Sequence, residues 1–508
     1  MRWLGEVWDF VAGFWNYTSS DEPLSNRNTG ASCASIHDIQ RAKLLTGKGI
    51  RLGLTTYQSS KNELTRFNLN YDGENHLVTI GKPGSGKGTT VIIPALLTYG
   101  GSCFVIDPKG QNATITTRAR RAAGHKVFHL NPYGLHRERL GYSARFNPLQ
   151  NLSPYSVNFV GDVGSLADAL IYKTGNDPHW SDSARELVAC LIMHVCTKPG
   201  ETSTLPRVRQ LLCLPDLRDE EETERGKKTG AKKEKSPFLE LIAEMSFSAF
   251  QPLANKAAQF IESTREIKSI VSQARTQTAF LDDPVIAECL SGSDFDFADM
   301  KRGNITVFLI LPAKHLQAKT RWLRLLVTSA IDALTDEPKP GDSRVLFLLD
   351  EFAQLGKLES IEKALALVRG YGVQLWPFVQ DLPQLKSVYP DRWESFLATA
   401  GIVQFFTPND NATAKYLSDK CGKKLTSRKS VTDSSASIGG SGNQGSITHS
   451  EQWEPLFNEW DLYGDKFPDS MQMMFVEGLS NVIFCGRIPY FSDSELAPRA
   501  DPDPYYNR

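Results

Sequence analysis

The chain has 508 residues, room for two to four domain-sized units. Its 41% apolar and 23% charged residues place it among ordinary globular proteins, not disordered ones. The formal net charge of −1 excludes no partner class, because a local basic patch binds nucleic acid inside a neutral total.

The eight cysteines form no CxxC pair, and most lie in apolar runs such as Cys103-Phe104-Val105-Ile106. They read as buried thiols of a reducing compartment. At the start there is no small-residue cleavage site after a basic stretch, so no secretory signal is read. Trp3, Leu4, Val7, Trp8 and Val11 share one helical face within Trp3–Tyr17. That segment is shorter than the roughly 20 apolar residues a span needs. It reads as a helix docking on a partner or on the rest of the chain. A membrane-surface helix is second, since Arg2 is its one basic residue. Residues 18–50 form a polar arm with a short helix near Ile36–Leu45, and residues 1–50 hold no transmembrane helix.

From Leu77 the pattern is α/β. Leu77–Ile80 is a strand, followed by a Gly-rich loop and a helix over Thr89–Tyr99 that stops at Gly100-Gly101. Pro94 implies a kink in that helix. Ser102–Asp107 and Lys126–Asn131 are further strands, and their lack of polar alternation fits a parallel sheet covered on both faces. Between Ser153 and Ala298 only helices are expected: Val157–Ile171, Ser181–Cys196, Pro206–Leu212, Phe238–Met245, Leu253–Thr264 and Ile267–Phe280. Cys190, His194 and Cys196 have a metal-like spacing there, but the apolar run Leu187–Val195 reads as a core helix. The charged stretch from Asp219 to Lys235 reads as a solvated loop, with a nucleic-acid or protein contact as the alternative.

Strands resume at Ile305–Leu311, Val345–Leu349, Val373–Val379 and Ile402–Phe406, although Pro377 weakens the third. Helices are expected at Arg321–Leu334, Ser360–Val368, Asp391–Ala398 and Asn411–Cys421. The Ser/Gly-rich residues 426–450 read as a mobile loop. The organisation is thus a nucleotide-binding domain in two parts, 51–152 and 299–508, interrupted by an all-α domain at 153–298.

Two stretches carry chemistry. Gly81-Lys82-Pro83-Gly84-Ser85-Gly86-Lys87-Gly88-Thr89 lies between strand and helix, where a phosphate-cradling P-loop must sit. Glycines turn backbone N–H groups onto phosphate oxygens, and Lys87 supplies a point charge. Gly88 departs from the usual Ser or Thr, which ligates Mg²⁺; either Thr89, about 100° further round the helix, or water stands in. The second stretch, Val345-Leu346-Phe347-Leu348-Leu349-Asp350-Glu351, is an apolar strand ending in carboxylates. Asp350 is placed to hold Mg²⁺ and Glu351 to activate the attacking water. Gln380 ends the next strand on the same expected rim, as a γ-phosphate sensor or a plain surface residue. Arg369 and Arg392 are either arginine fingers across a subunit boundary, or helix C-caps or ordinary surface charges. Fingers of that kind are worth about 10³–10⁵ in rate.

These motifs sit with others in one order: Gly47-Lys48-Gly49-Ile50-Arg51-Leu52-Gly53, Asp107-Pro108-Lys109-Gly110, Trp180-Ser181-Asp182-Ser183-Ala184-Arg185, Leu349-Asp350-Glu351-Phe352-Ala353-Gln354-Leu355-Gly356, Gln380-Asp381-Leu382-Pro383-Gln384-Leu385 and Thr413-Ala414-Lys415-Tyr416-Leu417-Ser418. From about Gly30 to Tyr490 the chain resembles the TraG-like coupling proteins of type IV secretion systems, ring ATPases of bacterial conjugation. The resemblance implies a RecA-like P-loop NTPase core with an inserted all-α domain that recognises cargo. It implies a homo-hexamer at the inner membrane that uses ATP and Mg²⁺. The cargo would be a single-stranded DNA–relaxase complex or a secreted protein, delivered to the secretion channel. Lys87 would bind phosphate, Asp350 serve Mg²⁺, Glu351 activate water and Gln380 read the γ-phosphate. Members ordinarily begin with transmembrane helices; none is read here, so membrane contact is expected through partners at the cytoplasmic face. Two other readings are a RecA-like DNA helicase or pump, and a nucleotide-gated cargo adaptor without useful hydrolysis.

Overall fold

The computed structural model describes residues 30–58, 64–172, 179–215, 236–261, 265–335, 341–432, 446–463 and 466–506. The N-terminal helix read at Trp3–Tyr17 and the charged stretch at 219–235 lie outside them. Thirteen strands are named here in chain order: β1 (Ile50–Gln58), β2 (Leu64–Tyr71), β3 (His76–Ile80), β4 (Ser102–Ile106), β5 (Lys126–Leu130), β6 (Ile305–Leu309), β7 (Val345–Leu349), β8 (Val373–Val379), β9 (Ala400–Phe405), β10 (Lys423–Thr432), β11 (Ser446–Pro455), β12 (Met471–Val476) and β13 (Ile483–Gly486).

Eleven of them make one sheet, ordered β2-β1-β13-β12-β9-β3-β8-β7-β4-β6-β5. The strands from β9 to β5 pair in parallel, while β12, β13, β1 and β2 extend that sheet antiparallel. The central strands β3, β4, β6, β7 and β8 are buried at every residue. Alternate side chains feed two cores: Phe104 and Phe347 one face, Val105 and Leu348 the other. Burial on both faces is why these strands read as unbroken apolar runs.

A polar chain crosses five strands inside this sheet. Trp376 Nε1 donates to Thr79 Oγ1 at 2.8 Å, and that hydroxyl donates to Gln404 Oε1 at 2.7 Å. Gln404 Nε2 donates to Gln472 Oε1 at 2.9 Å, and Gln472 Nε2 donates to the Leu52 carbonyl at 2.8 Å. Each buried group finds a partner on another strand, the last bond reaching from β12 past β13 to β1, which ties the sheet together.

Between β5 and β6 the described elements are helical, including Phe159–Leu170, His179–Thr197, Leu205–Leu212, Pro237–Ser246, Gln251–Ala257, Arg265–Thr278 and Pro284–Cys289. Their apolar faces join the core on one side of the sheet. Cys190 and His194 are buried in this packing, and no group of three metal-ligating side chains occurs among the described residues. Among the same residues, no helix is long and apolar enough to cross a membrane.

Several elements differ from expectation. The helix read at Thr89–Tyr99 opens as a π-turn, Gly88–Ile92, and becomes α-helical only over Ile93–Thr98. Pro94 therefore stands in the first α-turn, where its missing N–H costs little. The helix read from Arg321 starts at Ala313 and bends at Lys319 (φ −116°, ψ 17°). Pro377 is tolerated in β8 because it ends the pairing with β7 (Leu349↔Pro377), and pairing with β3 is registered at Phe378. The flanks of the stretch read as a mobile loop form the hairpin β10–β11, paired from Lys423↔Pro455 to Thr432↔Ser446. Backbone groups make that ladder, so no apolar period marks it.

Candidate nucleotide-binding site

Parallel strands bring their C-terminal ends to one rim. The loop after β3, Asp107 after β4, Asp350 after β7 and Gln380 after β8 all meet there. The pair Ile80↔Val379 sets Gly81 beside Gln380, and Ile106↔Leu349 sets Asp107 beside Asp350.

The loop itself is shaped by its glycines. Gly84 (φ +75°) and Gly86 (φ +86°) adopt the left-handed conformation that glycine alone enters freely. A Cβ at Gly81 would meet the Phe406 ring at 2.8 Å. Lys87 is buried, and its Nζ donates to the carbonyls of Gly81 at 2.5 Å and Lys82 at 3.4 Å. Burial lowers its pKa, while Asp350 and Glu351 act in the opposite direction. Ser85 is buried, with no partner for its Oγ among the described residues. Thr89 and Thr90 turn their hydroxyls back on the Gly86 carbonyl at 3.3 and 2.8 Å.

Behind the loop lies a residue that the sequence alone did not single out. Arg487 follows β13, is 1% exposed, and stacks over Phe406 with its guanidinium 3.6 Å from the ring centre. Its Nη1 donates to the Ser85 carbonyl at 2.7 Å and to Thr90 Oγ1 at 3.2 Å. Nε donates to the Met471 carbonyl at 3.1 Å, and Nη2 donates to that of Asp469. Desolvation pulls its pKa down to about 9. The one signal in the sequence is an arginine directly after an apolar strand, too common to single out.

Opposite the loop, β7 ends in Asp350-Glu351. Burial, and then the neighbouring Glu351 charge, raise the Asp350 pKa to about 6. Asp107 is buried, and desolvation lifts it to about 7; its Oδ2 accepts the Ala113 N–H at 2.8 Å. Glu351 is left-handed (φ +53°), a strained setting for a side-chain-bearing residue. Its Oε2 accepts from Gln380 Nε2 at 3.1 Å and from Gln354 Nε2 at 2.9 Å. In the sequence Gln354 is one residue of a longer motif with no role of its own; a tight turn brings it back to Glu351.

Lys87, Asp350, Glu351 and Gln380 are thus brought together. Arg369 and Arg392 are not. Both are exposed. Arg369 precedes β8 and acts electrostatically on His76 and Tyr71, at the opposite rim. Arg392 lies just before the helix Trp393–Ala398 that leads into β9 from that rim. The donor set fits a Mg²⁺-nucleotide: a buried lysine within a glycine-shaped loop, and a carboxylate across the rim. Among the described residues there is no three-ligand protein cage, so a Mg²⁺ here would rely on phosphates and water, its usual habit.

A family model described as type IV secretory system conjugative DNA transfer matches residues 32–504. The chain belongs to this family. Among relatives in the conjugative DNA transfer family, the conjugal transfer protein TraG of Escherichia coli is 29% identical over 411 residues, 77% of this chain and 61% of TraG. Protein VirD4 of Rhizobium radiobacter is 29% identical over 376 residues, 72% of this chain and 50% of VirD4. The chain therefore spans less than two thirds of the length of these relatives. The bacterial conjugative coupling protein TrwBdeltaN70, in its unbound monoclinic form, superposes with a TM-score of 0.61 at 15% identity, covering 93% of this chain and 96% of that one. TrwB in complex with ADP and Mg²⁺ superposes with a TM-score of 0.56 at 15% identity, over 91% and 94%. The fold is that of these structures: a RecA-like P-loop NTPase core carrying an all-α insertion.

Proposed function

We propose that this protein hydrolyses ATP with Mg²⁺ as a homo-hexamer. It thereby delivers a single-stranded DNA–relaxase complex, or a secreted protein, to a type IV secretion channel. The observation that carries the reading is the Glu351 carboxylate, strained into place and held by Gln380 and Gln354 beside Asp350. An ATP-binding adaptor without turnover has no use for a base so oriented.

In this reading the Gly81–Thr89 backbone cradles the phosphates, and Lys87 leaves its loop carbonyls for the β/γ-phosphate oxygens. Asp350 would hold a bound Mg²⁺, which would supply charge neutralisation at those phosphates. Both glutamines engage Oε2 of Glu351, leaving Oε1 to take the proton of the attacking water. Gln380, bonded to that base, reports the γ-phosphate. Arg369 and Arg392 are candidate fingers that would act on a neighbouring copy. The all-α region at 153–298 would recognise cargo, and partners would bring the protein to the cytoplasmic face of the inner membrane. Family membership supports the assignment, as do the TrwB complexes with ADP and Mg²⁺ and with an ATP analogue.

The test is steady-state ATP hydrolysis with and without single-stranded DNA. Lys87→Ala and Glu351→Gln should each lower turnover by about 10²-fold or more. Wild-type turnover in Lys87→Ala would remove the site assignment. Tight ATP binding with no turnover by the wild type would favour the adaptor, and duplex unwinding the helicase.

A further inference from the structure

Gly88 stands where a P-loop ordinarily carries a metal-binding hydroxyl. A Cβ built there meets one heavy atom within 4 Å outside its own turn, Oδ1 of Asn112 at 3.9 Å. Asn112 is the second residue of the helix Gln111–Ala122, on the strand connection after β4. It is 4% exposed, and no hydrogen bond to its side-chain amide is found among the described residues. Its amide therefore has hydrogen-bonding and ligating capacity left over at the rim.

The position of Asn112 is set by the site. Asp107 accepts the Ala113 N–H at 2.8 Å and so ties down the helix start, and it lies beside Asp350 through the pair Ile106↔Leu349. The amide, Gly88 and Asp350 therefore belong to one rigid rim. The Asn112 oxygen thus stands 3.9 Å from the carbon that would carry the missing hydroxyl, close enough to serve the same cation directly or through one of its waters.

We propose that Asn112 Oδ1 supplies the metal-side oxygen that Gly88 lacks, bonding Mg²⁺ directly or through one of its waters. A neutral amide oxygen is an ordinary ligand for this hard cation. The P-loop has in effect moved this ligand onto the helix after the neighbouring strand. The inference rests on the Mg²⁺-nucleotide reading proposed above.

The test uses the full chain, with Mn²⁺ as the probe. Free Mn²⁺ is measured by electron paramagnetic resonance in the presence of saturating ADP, and ADP binding without metal by calorimetry. Asn112→Ala should weaken Mn²⁺ binding in the ADP complex by about 10-fold, the lower end for losing a metal-supporting group, with metal-free ADP affinity unchanged. Adding Gly88→Ser to that variant should restore Mn²⁺ binding, because the site has room for the new side chain. Asn112→Asp should keep it. Wild-type Mn²⁺ affinity in Asn112→Ala would overturn the proposal. So would an equal loss of metal-free ADP affinity, which would make Asn112 a phosphate or packing contact. Failure of the wild-type chain to bind ADP would instead overturn the nucleotide reading, and with it this inference.

Discussion

Arg487 sits between the P-loop and the last strand, and its contacts span the chain: the Ser85 carbonyl it bonds is 402 residues away. The ring of Phe406 fills the space between the guanidinium and Gly81, so loop, ring and arginine form one stack. Removing the guanidinium takes the donor from the buried carbonyls of Ser85 and Met471, while that of Asp469, an exposed residue, can turn to water. Each buried unsatisfied group costs about 1–3 kcal/mol. Arg487→Ala should therefore lose about 2 kcal/mol or more of unfolding free energy, read from denaturant midpoints, and weaken nucleotide binding. Arg487→Lys keeps the charge but not the planar fork and should fall between. An alanine variant as stable as the wild type would show that the clamp does not brace the loop. Glu351 offers a contrasting case. Its strained backbone is compensated by two glutamine bonds, so Gln354→Ala should lower kcat more than it raises KM. A pure KM effect would place Gln354 in binding instead.

At the level of elements, the β3–β8 seam carries a titrating group. His76 Nδ1 accepts the Leu375 N–H at 3.1 Å, and Nε2 faces the Leu365 carbonyl at 3.3 Å, an arrangement that fits the neutral ring. Desolvation lowers its pKa from 6.5 to about 4. The folded state thus binds the proton less tightly than the unfolded chain. The stability from His76 is full above pH 6.5 and falls as pH drops toward 4, by at most about 1.4 kcal/mol per pH unit. Urea midpoints at pH 7 and pH 5 should differ more for the wild type than for His76→Gln, and equal differences would dismiss the seam as the cause. The same seam explains what could be read in advance. β7 and β8 were legible to the residue, because burial on both faces writes a continuous apolar run. The P-loop and Asp350-Glu351 were legible because their chemistry is local. β1 and β2 were not, since their residues mix threonine, asparagine and arginine at a partly exposed sheet end. The hairpin β10–β11 was hidden for the related reason that backbone bonds alone register it. Arg487, Gln354 and Asn112 carry no local signal in the sequence, because what surrounds them is brought from distant or turned-back segments that no local pattern records.

Over the whole molecule, the glycine-rich loop, Asp350, Glu351 and Gln380 converge on one rim, whereas Arg369 and Arg392 lie away from it, toward the other end of the strands. A single chain has no way to bring either guanidinium to its own Lys87 without unmaking the sheet. If either serves as a finger, the receiver is a second copy, and the function belongs to the ring. That geometry gives a mixing experiment. Lys87→Ala subunits have a damaged loop but intact arginines; Arg369→Ala subunits, or Arg392→Ala subunits, have an intact loop but lack one arginine. Lys87→Ala and the variant lacking the true finger should each hydrolyse ATP poorly alone, since fingers contribute about 10³-fold or more in comparable enzymes. Mixed with Lys87→Ala, the variant lacking the true finger should regain hydrolysis, because an intact loop then faces an intact arginine across the boundary. The recovery should peak at intermediate ratios and fade on dilution, as assembly is lost. The arginine that is only a surface charge should show near-normal activity alone and no gain on mixing. If neither arginine variant loses activity, the finger lies elsewhere. If one loses activity that no mixing ratio restores, that arginine acts within its own fold and the trans arrangement is wrong.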